Sequence, residues 1–394
     1  MDSPSLSLHE RARAVAAAGA TLGVAAACGP FGLIVRANRI ARGEAIALVS
    51  ALGGWGIALV ACWAAVAALA LSRAPLRLRG VACSLVAGAV PVAALWRTGV
   101  FAADYADKAG DLSRVSLGLG FWLTAAAAYA AVFAATAWLE RGFLRGALTY
   151  APFAGVAALL ASGDLASLGI LKEYANNAEA FTKQLDLHVA YVGASVAVGL
   201  VLGLALGLLS ARKPTTEPAV FGVLNVLQVL PTLAFIGLLY PLLTNLSRSV
   251  DLFAAIGVRG VGWAPVVIVL SAYAVYPIAR NTHAAFVSLD PAVIDAAKGI
   301  GMGPLRVLAE VELPLAMPVI LAGLRVALVQ STAGAIIAGL VGGGGLGTFV
   351  FLGASETASD LMLLGVLPIV ALALTFDRGL SAVEAALTVW KEPT

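Results

Sequence analysis

Residues 290–314 read DPAVIDAAKGIGMGPLRVLAEVELP. The stretch lies between two strongly apolar segments, yet it carries Asp295, Lys298, Arg306, Glu310 and Glu312. Asp290 followed by Pro291 is a helix start: the carboxylate accepts from a free backbone N–H, and proline's fixed φ suits the first helical position. Gly299, Gly301, Gly303 and Pro304 then interrupt that helix, and a second short one runs to the break at Leu313-Pro314. Two short helices joined by a glycine elbow make a docking surface rather than a membrane span.

Outward from this stretch the chain reads as an all-α polytopic membrane protein. Hydrophobic residues make up 61% and charged residues 12%, against about 25% charged in soluble domains. Mean hydropathy is +0.95. Several windows exceed the roughly 20 apolar residues that cross hydrocarbon. Expected spans fall at 14–35, 45–71, 80–96, 117–139 and 144–162, and again at 189–210, 219–244, 262–282, 314–340 and 361–386, about ten in all. The third is short and Pro91 bends it. Residues 1–13 read as a polar tail, and the long first apolar stretch has no cleavage pattern, so no cleavable signal peptide is expected.

Between the two sets of spans, residues 163–188 are polar. Leu171, Tyr174, Ala178, Phe181 and Leu185 recur at steps of three and four, which predicts an amphipathic helix on the outer surface. The expected organisation is an N-terminal five-span region at 1–162, this linker at 163–188, and a core at 189–394 whose loop runs over 284–313.

Inside the spans, polar residues mark either a wet pathway or hydrogen bonds between helices. Asn225, Gln228 and Thr232 form one stripe, continued by Phe235 and Leu239. Tyr273 lies deep in the next span, while Trp263 and Tyr276 suit the interfacial belt. Arg325 sits near mid-span, where a charge needs a partner or water; Gln330, Ser331 and Thr332 follow it.

The loop resembles the permease subunits of binding-protein-dependent ABC importers. Their pattern is E-A-A, three residues, G, nine residues, I-x-L-P; here Asp295-Ala296-Ala297, Gly301 and Val311-Glu312-Leu313-Pro314 keep every spacing. With the flanks Arg280-Asn281-Thr282 and Pro318-Val319-Ile320-Leu321-Ala322-Gly323-Leu324-Arg325, the chain is most similar to the glycine betaine, choline and proline-betaine branch. The resemblance covers roughly 185–385 and leaves the first 180 residues aside.

That resemblance implies a C-terminal five-helix type I importer core in a bacterial cytoplasmic (inner) membrane, with the loop and both termini in the cytoplasm. Lys and Arg favour the same orientation by a small margin. It implies a second permease chain, the same or related, two ABC ATPase subunits that hold ATP and Mg²⁺, and a periplasmic or extracellular substrate-binding protein. This chain itself would bind no cofactor. In the coupling surface Asp295, Lys298 and Arg306 would pair with the ATPase, Ala296 and Ala297 would allow close approach, and Gly301 would turn the chain ahead of Leu313 and Pro314. The cargo would be a quaternary-amine compatible solute, or else another small solute such as an amino acid, a sulfonate or an ectoine-like molecule.

Other classes fit less well. No G-x-x-x-x-G-K-[ST] loop occurs, and Gly342 to Gly347 satisfies G-x-G-x-x-G without a preceding strand, so a flexible outer turn or re-entrant segment is expected there. An ion-coupled transporter needs mid-span carboxylates, and spans from 189 to 340 offer none. The three histidines His9, His188 and His283 sit at or near span ends, which argues against a membrane enzyme. Cys28, Cys62 and Cys83 lack metal-ligand spacing. A net charge of +3 spread over loops gives no nucleic-acid surface.

Overall fold

A computed structural model of the chain describes residues 8–39, 41–140 and 142–388. It contains two compact units: residues 1–176 with 357–360, and residues 177–356 with 361–394.

The first unit runs α1 (Leu8–Cys28), β1 (Leu33–Arg36), β2 (Glu44–Ile46), α2 (Leu48–Leu52), α3 (Gly54–Leu71), α4 (Leu76–Ala109), β3 (Arg114–Leu117), α5 (Leu119–Thr136), α6 (Phe143–Ser162) and α7 (Gly169–Asn176). Helices α1, α3, α4 and α5 pack around Trp63, Val66, Ala87 and Ala127, all fully buried. The strands form an antiparallel sheet ordered β2-β1-β3, with Leu33 opposite both Ile46 and Leu117. The chain is otherwise helical as expected, and this small sheet is an addition that the apolar pattern did not show. The apolar run over residues 14–35 is two elements: the chain leaves its helix at Cys28, and Leu33, Ile34 and Val35 pair as a strand. Residues 357–360 join this unit through buried Asp360, whose carboxylate accepts from Ser116 Oγ at 2.6 Å.

Two boundaries differ for plain reasons. The polar tail is already helical from Leu8, since Glu10 sits favourably in the first turn. Helix α4 is 34 residues long and runs through Pro91, well beyond the short span expected at 80–96.

The second unit runs α8 (Ala178–Arg212), α9 (Glu217–Val229), α10 (Thr232–Ser249), α11 (Asp251–Ala255), α12 (Trp263–Val287), α13 (Pro291–Gly299), α14 (Pro304–Val307), α15 (Leu313–Gly334), α16 (Gly347–Ser355) and α17 (Ser359–Thr388), the last beginning in the first unit. The amphipathic segment at 163–188 is not one helix: α7 ends at Asn176, and residues from Ala178 onward are the first turns of α8. Helix α8 lies along α12, and α12 along α15. Gly199, Gly203 and Gly207 make the first contact possible, because a Cβ on each would stand 2.6–2.7 Å from Ala274, Ile278 and Thr282. Small residues every four positions let two membrane helices approach this closely.

The expected span at 219–244 is broken. Helices α9 and α10 meet at 103° across Leu230 and Pro231. Proline has no N–H and disfavours helix in the residue before it. Among the described residues eight helices are long and apolar enough to cross a membrane, or nine if this bent pair is one span. The tenth expected span is α1, whose first turns carry Glu10, Arg11 and Arg13.

Candidate functional site

The elbow at 290–314 forms as its caps dictate. Asp290 Oδ1 accepts from the backbone N–H of Ala292 at 2.9 Å, and Pro291 opens α13. At the other end Met302 N–H donates to Ala297 O at 3.2 Å and Gly301 N–H to Lys298 O at 2.9 Å. This paired ending puts a left-handed residue just past the helix, and Gly301 takes it with φ +88°. Helix α14 then passes through a π-turn at 308–312 into α15.

The elbow presents a mixed face. Ile300 and Leu305 are 81% and 82% exposed, and Val293 is exposed beside them. Asp295 pairs with Lys298 at 3.7 Å and Arg306 with Glu310 at 3.0 Å, all four largely exposed. Such surface pairs contribute about 0–1 kcal/mol, so the charges remain available to a partner. Ala296 is exposed and Ala297 buried. Behind the elbow Arg212, Met302, Leu308 and Glu312 help line a cleft of about 330 Å³. Leu313 is half-buried and Pro314 exposed as α15 begins.

Of the polar residues in the spans, two come together. Gln228 Nε2 donates to Tyr273 O at 2.7 Å, and Tyr273 Oη donates to Leu230 O at 2.6 Å. Both bonds answer a proline. Pro277, four residues after Tyr273, cannot donate to its carbonyl, and Pro231 ends α9 just after Leu230. Phe235 stands 6.3 Å from the Tyr273 ring. The stripe is therefore not one face: Asn225 and Gln228 lie before the bend and Thr232 after it. Asn225 and Gln330 are exposed, and Thr232 is half-buried.

Arg325 lies elsewhere and is fully engaged. It faces Asp377 at 3.4 Å, Ser381 Oγ at 2.7 Å and Glu384 at 3.4 Å, all on α17.

The glycine run is fastened, contrary to the flexible turn expected. Gln184 Oε1 accepts from Gly345 N–H at 2.6 Å, Tyr191 Oη donates to Gly343 O, and buried His188 Nε2 meets Thr332 O at 3.0 Å. Gln184, His188 and Tyr191 recur at steps of four and three on α8, a signal split in the sequence between the segment expected as a surface helix at 163–188 and the span expected at 189–210.

Residues 199–389 match the family described as the binding-protein-dependent transport system inner membrane component. The choline transport system permease OpuBB of Bacillus subtilis is 32% identical over 51% of this chain and 85% of its own length. The chain belongs to this permease family. The osmoprotectant import permease OsmW of Salmonella typhimurium is 35% identical over 51% of this chain and 88% of its own. The glycine betaine/carnitine/choline permease OpuCB of Bacillus subtilis is 32% identical over 49% and 82%. A solved methionine ABC transporter in inward-facing conformations covers 54% of this chain and 98% of its own at 19% identity, with a TM-score of 0.47.

As a permease the chain is a transport subunit that spans the membrane several times. Its family match contains the elbow, the bent pair and all of α17. Residues 11–171 match a second family, the N-terminal domain of the ABC transporter permease YehY. The first half, which the loop resemblance leaves aside, is thus similar to a known N-terminal permease domain.

Proposed function

We propose that this permease imports a quaternary-amine compatible solute of the choline, glycine betaine or carnitine kind, driven by a separate ATPase docked on the 290–314 elbow. The observation that carries the reading is the elbow itself. The capped turn displays Ile300 and Leu305 to solvent on the same elbow as exposed Asp295, Lys298 and Arg306, a mixed apolar and charged surface suited to a partner. The relatives' substrates, choline, glycine betaine and carnitine, support the cargo class.

In this mechanism two ATPase subunits bind ATP and Mg²⁺, and their closure pulls α13 inward in each of two permease chains. Ala296 and Ala297 let the helix seat closely, Gly301 keeps its turn, and Leu313-Pro314 passes the movement into α15 as a rigid-body tilt. An external binding protein delivers the solute. The pathway runs by the bend at Leu230–Pro231, where Tyr273 and Phe235 offer ring faces to a quaternary ammonium, each worth roughly 0.5–2 kcal/mol. Gln228 and Thr232 line the same level, and Asn225 and Gln330 its approaches. Arg325 steadies α15 against α17. Residues 290–314 and both termini face the cytoplasm of a bacterial cell, and the assembly sits in its cytoplasmic membrane.

The test is uptake into proteoliposomes holding the permease with its ATPase and binding protein. Labelled glycine betaine, choline and carnitine compete for ATP-dependent entry, and an amino acid or ectoine does not. Entry driven by an ion gradient with no ATPase present would overturn the mechanism; preference for an amino acid would overturn the cargo.

A further inference from the structure

Arg97 lies within α4, one of the apolar helices, yet it has neither an ion pair nor a hydrogen bond among the described residues. Its guanidinium carbon sits 5.3 Å from the Trp55 ring and 5.4 Å from the Trp96 ring. The two indoles stand edge to face, 5.8 Å apart at 89°. The cation lies within reach of both indoles, which supply π-electron density but no hydrogen-bond acceptor. Nε is buried and has no acceptor.

Depth follows from the helices. Arg97 is 21 residues beyond Leu76, the start of α4. At 1.5 Å per residue that is about 31 Å, the thickness of the hydrocarbon layer. Trp55 opens α3, which packs along α4, and belongs to the same level. Two tryptophans at one end of a span are the mark of the membrane–water interface. Trp55 and Ile57 beside it are exposed at 46% and 66%, so the site opens outward from the helices.

We propose that Arg97, braced by Trp55 and Trp96, binds the phosphate diester of a phospholipid headgroup. A planar guanidinium offers parallel N–H groups to two oxygens of one phosphate. The charge needs a counter-anion, the described residues provide none, and the anion always present at this depth is the lipid phosphate. A free phosphate ion has the same chemistry, and the experiment separates the two sources.

The full-length protein is delipidated in an uncharged detergent. Native mass spectrometry then follows binding of phosphatidylglycerol, of diacylglycerol with the same chains, and of inorganic phosphate. The wild type retains phosphatidylglycerol well above diacylglycerol, and millimolar inorganic phosphate does not displace it. Arg97→Gln weakens phosphatidylglycerol about tenfold, the factor expected for losing a charge-assisted contact; Arg97→Lys falls between, as a point charge without the fork. Equal retention of the two lipids, or undiminished binding by Arg97→Gln, overturns the site. Displacement by inorganic phosphate overturns the lipid as its source. If Arg97→Gln fails to fold, the wild-type comparison of the two lipids decides alone. None of these readouts depends on transport.

Discussion

Glu312, 2% exposed, places its carboxylate against the guanidinium of Arg212, one hundred residues earlier at the end of α8. Arg212 also lies 5.9 Å from the Phe286 ring on α12. The elbow is thereby fastened to two of the three helices that form the middle of the second unit. In the proposed mechanism a pull on α13 would reach α8 and α12 through this pair, besides reaching α15 along the chain.

Arg212→Ala leaves a buried carboxylate without its cation. Loss of about 1–3 kcal/mol of stability is expected, less than for a wholly enclosed pair because Arg212 is half-exposed. Glu312→Gln is milder. The double variant is less destabilised than the two losses added, a coupling that thermal unfolding of the four proteins measures.

Gly301 has a positive φ, and nothing lies within 4 Å of where its Cβ would be. Gly301→Val therefore meets no clash and strains only the backbone, by about 1–2 kcal/mol. The protein inserts and folds, but the turn after α13 shifts. Co-purification with the ATPase drops at least tenfold while the permease yield holds.

Tyr273→Phe removes the donor that serves Leu230 O, and Gln228→Leu removes the donor that serves Tyr273 O. Each leaves a carbonyl unmatched at a proline break, at about 1–3 kcal/mol. Both raise the solute's KM in transport assays. Asn225→Leu, changing an exposed residue outside these bonds, has little effect on stability.

Arg325 is shared by two carboxylates. Asp377→Asn or Glu384→Gln alone leaves it paired, and each lowers the melting temperature slightly. Arg325→Met takes the shared cation from both carboxylates at once, and lowers it more than either single change.

The elbow was legible because its signals are local: Asp290, Pro291 and Gly301 act on backbone groups a few residues away. The small sheet was not, since Leu33, Ile34 and Val35 extend an apolar run and their strand partners lie at 44–46 and 114–117. The bend at Pro231 was half legible: the proline was visible, but a 103° turn depends on Tyr273 and Gln228 meeting the loosened carbonyls from a distance. Arg325's need for a partner could be read from its depth. Which residues answer it could not, because Asp377 and Glu384 lie over 50 positions away.

The most direct measurement is chemical crosslinking from Ile300→Cys, in inside-out membranes that also contain the ATPase. The account predicts a crosslink to the ATPase whose yield changes when ATP is added. An Ile300→Cys thiol that reacts only with reagents added to the outer face, and never joins the ATPase, would contradict it.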